Sequence, residues 1–317
     1  MRQAPSSSRS APTTGRSTRI GMIYMGIAMF LLPVADTFAK ALTDALGPIE
    51  VTMWRLLAQA LFFLPVILLL RNRLQGPMFS PVVALSGLLL MTTLTSLVTA
   101  FSQMPIAAAI AIFFAEPLIL TLLAGPLLGE VAGPRRYAAV AVGLIGALIV
   151  IRPGYSEFGF ATVLPLIAAT SYALNMIVLK RACTTRSALT MQCGATAYAA
   201  LGMVILAGAL QATGSIEMAP LDRPTWTWGA ILACGGFAAA SFVLIAEAFR
   251  HAEATILAPF QYLEIVGATA AGFFVFSEFP DALTWLGVAI ILGSGAYIFH
   301  RERRREARVP RRRRAGR

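Results

Sequence analysis

Ten long apolar runs, separated by short polar breaks, limit the folds open to this 317-residue chain. A helix needs about 20 residues to cross the hydrocarbon core of a bilayer, and each run is close to that length. The runs are continuous rather than alternating, which is typical of membrane helices and not of a transmembrane barrel. The sequence therefore predicts an all-α membrane protein with ten transmembrane helices. Their approximate bounds are 20–40, 51–70, 82–103, 106–128, 136–152, 159–180, 188–210, 226–249, 254–276 and 283–300.

Charged residues are too few to cover a water-soluble fold of this size. They make up 13% of the chain, whereas soluble domains carry about 25%. Ten of the 26 basic residues lie in 301–317 and four lie in 1–19. These two Arg-rich tails are predicted to be disordered. Basic clusters beside membrane spans favour contact with anionic lipids over binding of nucleic acid.

The basic residues also predict the orientation of the chain in the membrane. With the N-terminus in the cytoplasm, nearly all Lys and Arg residues outside the spans fall in cytoplasmic segments. This distribution is what the positive-inside rule requires. We therefore expect both termini to be cytoplasmic.

A stretch of the first half of the chain recurs in the second half. Residues 100–130 align with 248–278, and this shift of 148 residues brings Glu116 onto Glu264 and Glu130 onto Glu278. The shift is about half of the chain, so each repeat, 20–152 and 153–300, holds five spans. Five is an odd number, so the two repeats enter the membrane in opposite orientations. Inverted repeats of this kind are typical of alternating-access transporters, although a duplicated scaffold without that function gives the same pattern.

On these features the chain resembles the EamA-like family of ten-span carriers in the drug/metabolite transporter superfamily. The resemblance rests on the duplicated unit, on Leu127-Leu128-Gly129-Glu130 and its counterpart Phe276-Ser277-Glu278, and on Lys40 and Lys180, each of which closes the first span of its half. It implies a secondary carrier in the cytoplasmic (inner) membrane that moves small organic solutes, often outward. The resemblance leaves the substrate, the coupling ion and the oligomeric state open.

The inner glutamates of the repeat are the first candidates for chemistry. Glu116 and Glu264 lie about ten residues from either end of their spans, near the bilayer midplane. A charged residue there costs about 3 kcal/mol, so it usually marks an ion or substrate path. The hypothesis is that one or both carry a proton or bind a cationic group of the substrate. The alternative is a neutral carboxyl group that stabilises helix packing.

Pro117 follows Glu116 directly. A proline inside a helix lacks a donor and frees the carbonyl four residues earlier, here that of Phe113. The sequence therefore predicts a polar spot beside the carboxyl group, an ordinary kink, or both together.

Further polar residues inside the spans are candidates for the same site. Asp36 and Lys40 have the i, i+4 spacing of a helical salt bridge, and a substrate contact is the alternative. Arg55 either snorkels to the surface, pairs with an inner glutamate or attracts an anionic substrate. Four polar or aromatic residues either line a cavity or join helices to one another. These four are Tyr172, Asn175, Gln261 and Tyr262.

The outer pair of glutamates is expected near the two membrane surfaces. Glu130 and Glu278 lie 14 residues after the inner pair, which is a rise of about 21 Å along a helix. We expect them, with Lys40 and Lys180, to have structural roles or to act in gates.

Other functional classes receive less support from the sequence. It contains no His-Glu-x-x-His, Gly-x-Ser-x-Gly or phosphate-loop motif, which argues against an enzyme. The sparse polar residues inside the spans do not supply the continuous lining of an open channel. The three cysteines and two histidines lack ligand spacing, so no metal or other cofactor is predicted. A passive channel or a scaffold remains the alternative to a carrier.

Overall fold

The computed structural model describes residues 15–129, 134–151, 159–218, 223–252 and 254–308, and these residues form α-helices joined by short turns. No strand occurs within these ranges. The helices are α1 (Gly15–Thr43), α2 (Pro48–Leu69), α3 (Pro81–Phe101), α4 (Ile106–Phe113), α5 (Glu116–Leu128), α6 (Pro134–Ile151), α7 (Val163–Ala182), α8 (Ala188–Ala212), α9 (Thr225–His251), α10 (Ala254–Gln261), α11 (Leu263–Phe276) and α12 (Ala282–Arg308).

The helices follow the predicted apolar runs, with two differences. Seven stretches of the described chain are long and apolar enough to cross a membrane, and three further apolar helices are shorter. The fourth and ninth runs are each divided in the middle, into α4 with α5 and α10 with α11. In addition, α1 starts at Gly15 and α12 continues to Arg308, so helix extends into both segments for which the sequence predicts disorder. The chain is therefore a multi-pass, all-helical membrane protein.

Local sequence accounts for several helix boundaries. Pro48, Pro81 and Pro134 each begin a helix, because proline has a suitable φ and its missing donor would be unpaired there anyway. The Ser187 side chain accepts a hydrogen bond from the Thr190 backbone N–H and caps α8. The boundaries are thus set by residues close to them in the chain.

The helix contacts of the first half recur in the second half with the partners exchanged. The counterpart of α1 is α7, that of α2 is α8, that of α3 is α9, and that of α6 is α12. Packing of α1 on α9 is matched by packing of α7 on α3, and that of α2 on α9 by that of α8 on α3. Likewise, α1 contacts α11 and α7 contacts α5. The pairs α2 with α8 and α6 with α12 join counterparts directly.

The two ends of the helix bundle differ in charge. At one end, here called the Arg73 end, Arg73 and Arg250 both form ion pairs with Glu247. Arg181 at the end of α7 donates to the Leu127 carbonyl at the end of α5. The opposite end, here called the Lys40 end, carries Lys40, Glu278 and the ion pair between Arg223 and Glu50.

Close packing of α2 on α9 predicts the effect of one methyl group. A Cβ added at Gly235 would lie 2.4 Å from the Ala58 Cβ and 2.6 Å from the Gln59 backbone nitrogen, whereas at Gly229 on the same helix it would meet nothing within 4 Å. We expect Gly235→Ala to reduce the free energy of unfolding by about 1–3 kcal/mol through overpacking. Gly229→Ala should leave it unchanged or raise it, because alanine favours helix. Thermal unfolding of the purified protein in detergent measures both, and equal melting temperatures would contradict the packing.

Candidate functional site

The two divided helices meet at their breaks. The Phe114 and Tyr262 rings, which are equivalent at the 148-residue shift, have centroids 5.9 Å apart. Glu116 is the first residue of α5 and Glu264 is the second of α11. Both glutamates therefore follow a helix break in the middle of an apolar run, and the contact between the breaks brings them into one region.

The first break has a cause in the sequence. Pro117 lies in the first turn of α5 and has no N–H to offer the Phe113 carbonyl. The Ala115 N–H bonds to the Ile112 carbonyl three residues back, so the helix tightens at this point. The predicted kink is thus confirmed. The second break, at Tyr262, has no proline after its glutamate and was not predicted. The repeat of Phe114-Ala115-Glu116 as Tyr262-Leu263-Glu264 was the available signal.

A buried ion pair joins α1 to α2 beside this region. The Arg55 Nη1 donates to the Asp36 Oδ1 over 2.7 Å, and the two side chains are only 3% and 5% exposed. The Cys234 thiol of α9 donates to the adjacent Ala35 carbonyl over 3.2 Å. Arg55 therefore does not snorkel. The expected Asp36–Lys40 helical salt bridge is wrong as well, because both residues have partners on other helices.

Electrostatic interactions link the central side chains to one another in a series of pairs. Glu264 interacts with both Asp36 and Arg55. Tyr172 of α7 interacts with both glutamates, and Tyr262 interacts with Glu116. The structure thus brings together six of the predicted site residues from α1, α2, α5, α7 and the α10–α11 break. These residues, here called the central cluster, are Asp36, Arg55, Glu116, Tyr172, Tyr262 and Glu264.

Two polar atoms of the central cluster lack a hydrogen-bond partner within the described part of the chain. They are the Arg55 Nε and the Glu116 Oε1, and both are buried. A buried polar atom left unpaired costs about 1–3 kcal/mol. Phe113 packs against Tyr172 with centroids 5.6 Å apart, next to the Phe114–Tyr262 contact. The cluster therefore offers one donor, one acceptor and aromatic surface to a further molecule.

The other predicted site residues lie elsewhere. The Asn175 side chain is buried and accepts a hydrogen bond from the Ser86 hydroxyl over 2.5 Å, which joins α7 to α3. Gln261 is exposed on the surface of α10, and Lys180 is exposed near the end of α7. Glu130 lies outside the described residues. Asn175 thus joins two helices, which is one of the two roles expected of it.

Glu278 links the two halves at the Lys40 end. The Lys40 Nζ donates to both Glu278 carboxylate oxygens over 2.7 Å and to the Met104 carbonyl over 3.1 Å. The Ile106 backbone N–H donates to the Glu278 Oε2 over 3.4 Å. These bonds tie α1, the α3–α4 turn and the end of α11 together. Glu278 thus has a structural role, which is one of the two roles expected of it.

A cavity of about 350 Å³ opens beside this ion pair. It is lined by Lys40, Glu278 and residues from the ends of α1 and α11 and from the α3–α4 turn. Another ion pair at the same end, Arg223 with Glu50, was missed by sequence reasoning, since its partners lie 173 residues apart. The Trp54 indole N–H also donates to Glu50, over 3.2 Å.

The helical fold and its buried central ion pair define a polytopic membrane protein. The chain matches the EamA-like transporter family over residues 19–152 and again over 159–299. It belongs to this family, and the predicted resemblance is confirmed.

Relatives of known function are also transporters. The chain is 30% identical over 291 residues to a protein of Rickettsia prowazekii (strain Madrid E) named S-adenosylmethionine uptake transporter, covering 88% of this chain and 94% of that one. It is 29% identical over 210 residues to a riboflavin transporter of Rhizobium johnstonii, covering 66% and 67% of the two chains. A solved crystal structure superposes with a TM-score of 0.61 at 19% identity, covering 93% of this chain and 99% of the other, which shows a shared fold. These names indicate transport of small metabolites rather than catalysis.

The buried Asp36–Arg55 pair predicts a large effect of removing one charge. Asp36→Asn leaves the guanidinium of Arg55 buried without its hydrogen-bonded counter-ion, and such a change costs about 3–5 kcal/mol of unfolding free energy. The double variant Asp36→Leu/Arg55→Met should be close to wild type, because it removes both charges and keeps the volume. Thermal unfolding in detergent measures both.

The partly exposed ion pairs of Glu247 supply the control. Glu247→Gln is expected to cost about 1 kcal/mol or less, because solvent screens exposed pairs. A single variant Asp36→Asn as stable as the double variant would show that Arg55 does not depend on Asp36.

Proposed function

We propose that this protein is a secondary active transporter of small organic metabolites that works by alternating access. The observation that carries the proposal is the contact between the two helix breaks, with one glutamate after each break. Discontinuous helices that meet near the middle of a bundle are where many transporters bind their substrates. A carboxyl group at that depth is stable when it is protonated, paired or bound to a cation. Glu116 and Glu264 are therefore the proposed proton- or substrate-binding groups.

Alternating access requires two similar halves in opposite orientations, and three observations support this arrangement. The EamA-like family matches the chain twice, in two stretches that each hold about half of it. The helix contacts of one half recur in the other with exchanged partners. Each half also contains one divided helix. We propose ten crossings, formed by two inverted repeats of five, with the divided helices counted as single crossings.

The charges at the two ends support the proposed orientation. Arg73, Arg181, Arg186 and Arg250 lie at the Arg73 end, where α2, α7 and α9 finish. By the positive-inside rule this end is cytoplasmic. The protein then lies in the inner membrane with both termini in the cytoplasm. Its basic tails contact anionic lipids there.

We propose that Lys40 and Glu278 form a gate at the Lys40 end. Their ion pair joins one half of the chain to the other beside a cavity that opens at that end. If the halves exchange conformations, this pair breaks when the Lys40 end opens. Lys180 and Glu130 occupy the matching places in the repeat and are the proposed counterpart at the Arg73 end. Pro117 is proposed as a fixed bend that maintains the break between α4 and α5.

The substrate is proposed from the relatives and the aromatic lining. The Rickettsia relative is named for S-adenosylmethionine uptake and the Rhizobium relative for riboflavin. Both compounds carry flat heteroaromatic rings, and the Phe113–Tyr172 and Phe114–Tyr262 pairs supply surfaces on which such rings stack. S-adenosylmethionine is therefore the first compound to test. Outward transport, which the family resemblance implies, stays a prediction, and the name of the Rickettsia relative favours uptake.

Neutralising the inner glutamates tests the proposed function. Glu116→Gln and Glu264→Gln in proteoliposomes are expected to lower the flux of radiolabelled S-adenosylmethionine about tenfold or more, because a carboxylate–cation hydrogen bond contributes about 1.5–3 kcal/mol. Flux is measured in both directions and over a range of pH. Glu247→Gln, at a surface ion pair, is the matched control and should transport normally. Unchanged flux and pH dependence in both inner variants would remove these residues from the mechanism.

Reversing the charges of the proposed gate tests it separately. Lys40→Glu or Glu278→Lys alone places like charges where the present pair lies at 2.7 Å, and we expect flux to fall about tenfold while binding at the central cluster persists. The double variant Lys40→Glu/Glu278→Lys restores the attraction and should recover part of the flux. Asp44→Asn, in the lining of the same cavity, is the control. Equal flux in single and double variants would contradict the gate.

A further inference from the structure

Arg55 makes incomplete use of its hydrogen-bonding groups. Its guanidinium is buried, yet one ion-pair contact is formed, from Nη1 to a single oxygen of Asp36, and Nε has no partner within the described residues. The planar fork of arginine favours two parallel bonds to one carboxylate. Burial of an arginine with a free donor is costly unless another acceptor is bound there during function. The unused Nε therefore points to an acceptor other than those of the described residues.

Among the described residues, one acidic group of the central cluster lacks a donor, whereas the Arg55 Nε lacks an acceptor. Arg55 and Asp36 neutralise each other, which leaves Glu116 and Glu264 without a basic partner of their own in the cluster. Glu116 has a buried carboxylate oxygen with no donor among the described residues. Glu264 lies within electrostatic range of Arg55. The cluster thus presents one unused donor, the Arg55 Nε, and one unused acceptor, the Glu116 Oε1, in one buried region.

We propose that the central cluster recognises a zwitterion. The carboxylate of the solute binds Arg55, and its ammonium or sulfonium group binds Glu264 and Glu116. The inference rests on the proposed function and narrows its substrate class to metabolites that carry an α-amino-acid group. The two charges of such a group are separated by a few bond lengths. Arg55 and Glu264 interact with each other, so one such group can bind both of them.

The aromatic pairs extend this recognition to the rest of the solute. Phe113 with Tyr172 and Phe114 with Tyr262 flank the acids and offer ring faces to a cation or a flat ring. A neutral solute without a carboxylate, such as riboflavin, would leave the Arg55 Nε and the Glu116 carboxyl oxygen unsatisfied. Unpaired buried polar groups give strong discrimination against a ligand that lacks the matching group. The zwitterion is therefore the specificity-determining part of the solute, and Arg55 is the residue that distinguishes it.

Binding to the purified full-length protein in detergent tests the inference without transport. The probes are S-adenosylmethionine, its decarboxylated analogue, 5′-methylthioadenosine, riboflavin and the common amino acids, each followed by the ligand-induced shift in melting temperature and by calorimetry. We expect binding to be confined to probes with an amino-acid group. Loss of the carboxylate should weaken binding about tenfold or more, as expected for a lost charge-assisted hydrogen bond.

The matching protein variant is Asp36→Asn/Arg55→Gln, which removes both charges of the pair together and so leaves no uncompensated charge. It should weaken binding of the zwitterion about tenfold while binding of the decarboxylated analogue stays the same. Glu264→Gln should weaken both, because both carry the cation. The control Ser86→Ala, at the α3–α7 contact, should bind as wild type does.

Several outcomes would overturn the inference. They are equal affinity for the zwitterion and its decarboxylated analogue, an equal loss for both in the double variant, binding of riboflavin alone, and no binding of any amino-acid probe. Failure of the proposed function has a different signature. In that case the zwitterion binds with the expected selectivity, but proteoliposomes show no flux that exceeds that of protein-free vesicles.

Discussion

Charged side chains inside a bilayer must be enclosed by protein, and the arrangement of this chain follows from that constraint. Asp36, Arg55, Glu116 and Glu264 lie in apolar runs that would otherwise face lipid. Each is held where several helices meet, and the one ion pair among them joins α1 to α2. The breaks of both divided helices meet at the Phe114–Tyr262 contact, beside the two glutamates.

The same constraint links the centre of the bundle to its ends. A transporter must keep its central charges away from lipid. It must also expose them to only one aqueous side of the membrane at a time. Ion pairs between halves suit this purpose, because water replaces their bonds when they separate and the energy difference between the two states stays small. Lys40 and Glu278 have this position at the Lys40 end. The helix contacts of one half recur in the other half with exchanged partners.

The class of protein and its helical content followed from the sequence, because bilayer thickness sets the length of an apolar run and proline and glycine set many helix ends. The repeat identifies both inner glutamates, and Pro117 predicts the kink beside the first of them. The partners of the charges did not follow. The i, i+4 spacing of Asp36 and Lys40 favours a helical salt bridge, yet each side chain points toward another helix and binds Arg55 or Glu278 instead. Local spacing describes one helix, whereas packing decides which face of that helix is enclosed.

The sequence alone thus determined the membrane class, the family, the duplicated unit and the positions of the buried charges, since all of these are encoded in residues near one another or in a repeat. Tertiary structure decided which charges meet. The Lys40–Glu278 pair spans 238 residues and the Glu50–Arg223 pair spans 173. Tertiary structure also decided that the helix breaks at Tyr262, although no proline follows Glu264. It left Arg55 with a donor that has no acceptor among the described residues. These features depend on contacts between distant helices, which no local pattern of residues records.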